Sequence, residues 1–228
     1  KGKDLERVTT LTPDNPNFNK TTLVIRSLLE SETFREQFIS RFADILNSTL
    51  RSDVLASEFW KINQMLLPEI EEFIYRWNPT MENLLPWHPV FSFGEWARRT
   101  GEVIEFIKKR PGILYDHLQE RFHTGKQNNV YLKISEPGAG YTRINTLDIK
   151  SSTDGVTANQ PFPWKGTYFE NIPVTLTAFP DKEFGFSHWT DHHGNVIDTA
   201  RTISFLPIQD RNITAHFYKG PPPNTELP

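Results

Sequence analysis

The chain has 228 residues with a formal net charge of −3, and its 37% apolar and 13% aromatic content is enough to fill two ordinary cores. It contains no cysteine, which excludes disulfides, thiol nucleophiles and thiolate metal sites together. The near-neutral balance lacks the basic bias that nucleic acid or an anionic membrane requires, and no apolar run approaches the ~20 residues of a membrane span. The polar start Lys1-Gly2-Lys3-Asp4 is unlike a signal peptide, so a mature piece of a longer protein is expected.

Apolar residues change period near Gly125, from helical spacing before it to strand alternation after it. Residues 1–19 are rich in proline and asparagine and read as an irregular lead-in. Thr21 or Thr22 can cap a short helix reaching Leu29, and Ser31 caps a longer one. In that second helix Phe34, Phe38, Phe42, Ile45 and Leu46 share one face, while Arg35, Glu36, Arg41 and Asp44 are expected on the polar side. Ser52 and Asp53 are read as caps for a stripe of Leu55, Phe59, Ile62, Leu66, Ile70, Phe73 and Trp77. Pro68 should kink or restart that helix, because proline lacks a donor and crowds the preceding turn, and Asn78-Pro79 should end it. Pro86-Trp87-His88-Pro89 reads as a loop. Ser92 with Glu95 reads as a capping box, and Pro111 as the first turn of a final helix ending near Phe122.

Beyond Gly125, Val130, Leu132 and Ile134 alternate in a first strand, and Glu136 to Gly140 forms a turn. Tyr141 to Ile149 is read as one strand and Ser151 to Gln160 as a polar loop. Trp164 to Phe169 is read as a turn, Val174 to Pro180 as a strand and Phe184-Gly185-Phe186 as the start of the next. Further strands are expected around Ile203 and Phe205 and from Asn212 to Tyr218. Short strands at this spacing make a small sandwich or open barrel.

Two resemblances rest on these residues. Leu28-Leu29, Phe34-Arg35-Glu36-Gln37-Phe38-Ile39-Ser40-Arg41, Pro68-Glu69-Ile70, Arg76-Trp77, Trp96 and Arg110-Pro111 resemble, in that order, the C-terminal part of spore coat protein H-like (CotH) kinases. The strand half resembles divergent internalin B-repeat modules of bacterial surface proteins. That likeness is carried by Trp164 to Phe169, Pro173 to Pro180, Phe186 with Trp189, and Ile213-Thr214-Ala215-His216-Phe217. The kinase family's catalytic-loop aspartate, metal-binding aspartate and nucleotide-binding lysine have no counterpart to carry over, since neither a Gly-rich phosphate loop nor a kinase catalytic-loop pattern is present. The resemblance therefore implies a helical base without its active site, extracellular or at the cell surface. Protein or cell-surface polysaccharide are the partners it implies.

Each of the remaining motifs has both a chemical and a purely structural reading. Asp191-His192-His193 spells the tripeptide of a two-metal phosphoesterase family, but the following Gly194-Asn195 makes a polar hairpin turn the better reading. Glu69, Glu71, Glu72 and Arg76 read as a charged helix face, as do Arg98-Arg99 and Lys108-Lys109-Arg110 with Glu102 and Glu105 between them. Asn19, Asn47 and Asn212 head glycosylation sequons that matter only in a secreted eukaryotic protein. Trp164, Tyr168 and Trp189 are the candidate ligand contacts, as a sugar-stacking platform, against the alternative that they are core. Of these, Trp189 is expected to be mostly buried and Trp164 partly exposed.

The fold expected is α+β in two domains, an N-terminal α-helical domain fragment and a C-terminal small antiparallel β-sandwich. The boundaries are 1–19 lead-in, 20–125 helical, 128–219 all-β and 220–228 Pro-rich tail. No catalytic residue, metal ligand or cofactor is expected. The functional expectation is a non-catalytic scaffold and surface-interaction region of an exported CotH-like protein. The alternatives are a carbohydrate-binding accessory module and a divergent phosphotransferase fragment.

Overall fold

The structure, a computed structural model, describes residues 23–84 and 92–220, with backbone alone for 78–84. The lead-in, the caps at Thr21 or Thr22, the Pro86–Pro89 loop and the tail from Pro221 lie outside the described residues. The architecture is α+β: helices over residues 23–122 precede two sheets over residues 127–219. By compactness the chain divides into one unit of residues 1–49 and 114–228 and a second of residues 50–113.

In the first unit, α1 (Leu23–Glu30) leads to α2 (Glu32–Leu46), capped at Ser31, whose hydroxyl accepts from the Phe34 N–H at 3.5 Å. The buried stripe of α2 is Ile39, Ala43 and Leu46, at i, i+4 and i+7, and not the phenylalanine face. Phe34, Phe38, Phe42 and Ile45 are only half-buried, with Phe38 meeting Phe42 and Phe122 edge-on or tilted at about 6 Å. Asp44, expected on the solvent side, is fully buried.

The strands form two sheets. The five-stranded sheet runs β4 (Trp164–Phe169), β1 (Gln127–Ile134), β9 (Arg211–Lys219), β6 (Phe184–Thr190) and β7 (Val196–Asp198). The four-stranded sheet runs β3 (Leu147–Ile149), β2 (Gly140–Ile144), β5 (Val174–Pro180) and β8 (Thr202–Phe205). Every pairing is antiparallel except β1 with β9, which runs parallel with Leu132 opposite Ile213. Strand alternation turns Val130, Leu132, Leu176, Ala178, Ile213 and Ala215 inward, so both sheets contribute to one core.

Four local expectations are corrected in this half. The Tyr141–Ile149 strand is a hairpin, because Asn145 takes φ 47°, a left-handed value asparagine tolerates, and lets Ile144 pair with Leu147. The Trp164–Phe169 segment is a strand paired with β1, and β7 was not foreseen. Trp164, expected at a partly exposed turn, is buried, its ring lying so close over Gly166 that any Cβ there would overlap the indole.

The second unit is helical. It holds α3 (Ser52–Leu66), a single 3₁₀ turn (Leu67–Glu69) at Pro68, α4 (Ile70–Leu84) and the first part of α5 (Phe93–Phe122). The restart at Pro68 is present as expected. Ser52 and Asp53 do not cap: Arg51 occupies the cap position without a side-chain bond, and its guanidinium holds the Asp53 carboxylate at 2.6 and 3.0 Å. Asn78-Pro79 does not end α4, and Pro111 lies inside α5 instead of starting it. A proline forfeits its own N–H bond, and the surrounding ladder continues when neighbouring turns are good helix formers. At the start of α5, Ser92 Oγ accepts from Glu95 N–H at 3.1 Å, but the Glu95 carboxylate turns to Arg98 and Arg99. Those arginines hold its pKa down to about 2.

Candidate functional site

The C-terminal turn of α2 brings Asp44 and Asn47 to the sandwich, and both side chains are saturated there. Tyr168 Oη donates to Asp44 Oδ1 at 2.9 Å and Asn145 Nδ2 donates to the same oxygen at 3.3 Å. Thr146 donates both its N–H, at 2.8 Å, and its hydroxyl, at 2.6 Å, to Oδ2. The Thr146 hydroxyl in turn accepts from Arg41 Nη1 at 2.7 Å, so a surface cation stands one step behind the carboxylate. Burial pushes the Asp44 carboxyl above its ordinary value, and the four donors pull it back. Burial and the neighbouring Asp44 charge push both Tyr168 and Tyr115 upward, so both remain donors.

Asn47 acts as an extra strand residue toward β4. Its Nδ2 donates to Thr167 O at 2.8 Å and its Oδ1 accepts from Thr167 N–H at 2.8 Å, satisfying both backbone groups. Tyr115 Oη, from α5, donates to the same Oδ1 at 2.9 Å. An asparagine bonded on both ends and 7% exposed is not a glycosylation acceptor, which removes the Asn47 sequon. The sequence missed this joint because polar residues were assigned to the polar face. The available signal was the Ile39-Ala43-Leu46 stripe, which Asn47 borders.

The three aromatic candidates share a core and not a surface. Trp164, Tyr168 and Trp189 are 4%, 2% and 0% exposed, and the Trp189 indole N–H donates to Ala200 O at 2.9 Å. Phe186 packs against Trp189 in a tilted contact, with ring centroids 5.2 Å apart. A platform needs an open ring face, and these rings have none.

The Asp191-His192-His193 tripeptide forms the polar turn expected of it. Asp191 accepts from the His193 and Asn195 N–H groups at 2.8 and 2.9 Å, a side-chain-closed turn that occupies its carboxylate. No cluster of three or more metal-ligating side chains occurs among the described residues. His188 and His216, opposite one another on β6 and β9, stack with centroids 4.5 Å apart and planes 5° from parallel. Burial, then the His188 charge, lowers the pKa of His216, whose ring nitrogen bonds Thr190 Oγ1 at 2.9 Å.

The open chemistry lies on the four-stranded sheet. On its outer face Tyr141 stacks on Phe179, 4.9 Å apart and 9° from parallel, with Arg143 and Arg201 over Phe179 at 4.8 and 5.1 Å. Asp148, despite partial burial, is held below the usual carboxylate range by Arg143 at 2.6 Å and Lys150 at 3.0 Å. Beside this ladder a cavity of about 880 Å³ is bounded by the ends of β1, β2 and β3 and by the 151–163 loop.

On the helices, Glu72 and Arg76 pair at 2.6 Å, and Arg98 bridges Glu95 and Glu102. They are solvated ion pairs on one face each, as the sequence suggested.

A helical segment followed by a small two-sheet module is the class these observations define. Comparison with known families agrees: residues 6–114 match the CotH kinase protein family and residues 145–221 match the divergent InlB B-repeat domain. The chain is thus similar to the CotH kinase protein family in its first half and to the divergent InlB B-repeat domain in its second. No curated protein and no solved structure matches it.

Proposed function

We propose that this chain is a non-catalytic scaffold and surface-interaction region of an exported CotH-like protein. The observation that carries this reading is the saturated joint at Asp44 and Asn47. The most chemistry-rich buried cluster in the described residues spends all its hydrogen bonds on holding α2 against the sandwich. Asp44 accepts four hydrogen bonds and Asn47 Oδ1 accepts two while Nδ2 donates to Thr167 O, so the acceptor oxygens have no capacity left for a metal or a substrate proton. The domain order supports the same role, since a repeat module carried on a kinase-like segment extends it toward a surface partner. No helix among the described residues is long and apolar enough to cross a membrane.

The test is direct. Purified protein incubated with magnesium and ATP should bind no nucleotide by calorimetry and transfer no labelled phosphate to itself or to a generic acceptor. Transfer that persists through repurification and is lost on substitution of a residue of this chain would replace the scaffold reading with the phosphotransferase one.

A further inference from the structure

We propose that the cavity at the open end of the sandwich is a binding site for a neutral saccharide chain; this rests on the surface-interaction reading and names its ligand class. Three observations carry it.

The first is that the cavity is built and not incidental. Its outer wall, the 151–163 loop, is pinned at its middle: Val156 is buried, and the loop closes on itself through Thr153 N–H to Lys150 O at 3.0 Å and Val156 N–H to Thr153 O at 3.0 Å. Gly155, at φ +79°, lies so close to the Ser48 backbone at the end of α2 that a Cβ would overlap it. Ser48 is itself fixed by donating its hydroxyl to Asp44 O at 2.7 Å. The joint that locks α2 to the sandwich therefore also sets the wall of the cavity, which lowers the ordering cost of binding.

The second is size. About 880 Å³ lies in the upper part of the usual range for ligand sites, ~300–1,000 Å³, and is far larger than an ion or a few waters require.

The third is the chemistry of the lining. The loop presents the amides of Asn159 and Gln160 beside the half-buried ring of Phe162, and Lys133, Lys150 and Asp181 stand among the other walls. Amides that both donate and accept, next to an apolar ring, match a sugar, whose hydroxyls do both and whose ring C–H face is apolar. The charges argue against an anion. Lys150 is already engaged by Asp148 at 3.0 Å, and Asp181 offsets Lys133, so the lining has no surplus of positive charge for a phosphate or carboxylate. A lipid chain is disfavoured by the amides and charged groups it would have to desolvate.

This site is distinct from the buried Trp164, Tyr168 and Trp189, none of which lines it. Its aromatics are Tyr141 and Phe162, the latter just beyond the Ser151–Gln160 segment read as a polar loop.

The whole chain, ¹⁵N-labelled, is titrated with cellotriose and with N,N′,N″-triacetylchitotriose, with trigalacturonic acid as the charged comparison and magnesium-ATP as a separate addition. Saturable amide shifts centred on Asn159, Gln160 and Lys150 are expected with a neutral trisaccharide. Phe162→Ala and Asn159→Ala should each weaken that binding by about tenfold. Gln160 is exposed, so Gln160→Ala keeps the test valid if Phe162→Ala does not fold. No saturable shift with either neutral trisaccharide, shifts mapping elsewhere, or tighter binding of trigalacturonic acid would overturn the proposal. A response to magnesium-ATP would instead overturn the scaffold reading, so the two failures are separable.

Discussion

The two compact units use similar apolar stripes to opposite effect. In residues 23–49 and 114–220 the stripes meet: Trp189, Tyr168, Phe169, Leu118, Leu132 and Ile39 are all less than 2% exposed. Among the described side chains of residues 50–113 only Asn63, Thr100 and Ile107 are buried, each 9% exposed, while Met65 is 78% and Tyr75 86% exposed. The lesson is that periodicity specifies which face of a helix wants a partner, and a core exists only where two layers supply one. With few buried contacts, the second unit should open locally at much lower cost than the first.

The largest way to sharpen this contrast is in the sandwich core. Trp189→Ala should destabilise the first unit by about 3–5 kcal/mol, read by denaturant unfolding, the usual cost of removing a buried aromatic. Trp77→Ala in the second unit, where Trp77 is half-exposed, should cost far less on the same measurement. Equal costs would break the comparison.

The polar joint comes next. Asp44→Ala leaves the buried Tyr168 hydroxyl without its acceptor, releases the Asn145 and Thr146 donors and should cost about 2–4 kcal/mol. Asp44→Asn should also destabilise, because an amide NH₂ in place of either oxygen faces donors. The segment 127–219 expressed alone should melt below the full chain, since it lacks the Asn47 groups that satisfy Thr167. An isolated segment as stable as the full chain would show the joint to be idle.

A smaller effect is expected with pH. The folded-state pKa of His216 is lowered, so the unfolded chain binds the proton more readily. The contribution of neutral His216 is complete above the ordinary histidine value, 6.5, and is lost as pH falls through the lower folded value. Stability of the wild-type chain should therefore fall between neutral pH and pH 5 more steeply than that of His216→Gln, measured by urea midpoints. Smallest of all, Glu72→Gln on α4 breaks an exposed pair and should shift stability by only a few tenths of a kcal/mol.

How far the sequence could be read follows the same division. Helix and strand period, the Ser31 cap, the Pro68 restart and the inward set of β9 were legible because each is local. Asp44 was misplaced because helical patterning sorts residues by polarity, whereas its four donors come from residues more than 100 positions away. Asn145 was passed over because a left-handed asparagine without a following glycine is a weak turn signal. Trp164, Tyr168 and Trp189 stand out in the sequence as large aromatics, yet which side of a strand meets the opposite sheet is a tertiary fact. The cavity was invisible for a related reason: the ends of three strands and one long loop create it together.

Native-state hydrogen exchange across α2 tests the central claim most directly. If Asp44 and Asn47 make α2 part of the sandwich unit, amides from Ile39 to Leu46 should exchange with the slow strands β1, β5 and β9, while those of α3 and α4 exchange earlier. Exchange of α2 together with α3 and α4, ahead of a protected sandwich, would contradict it.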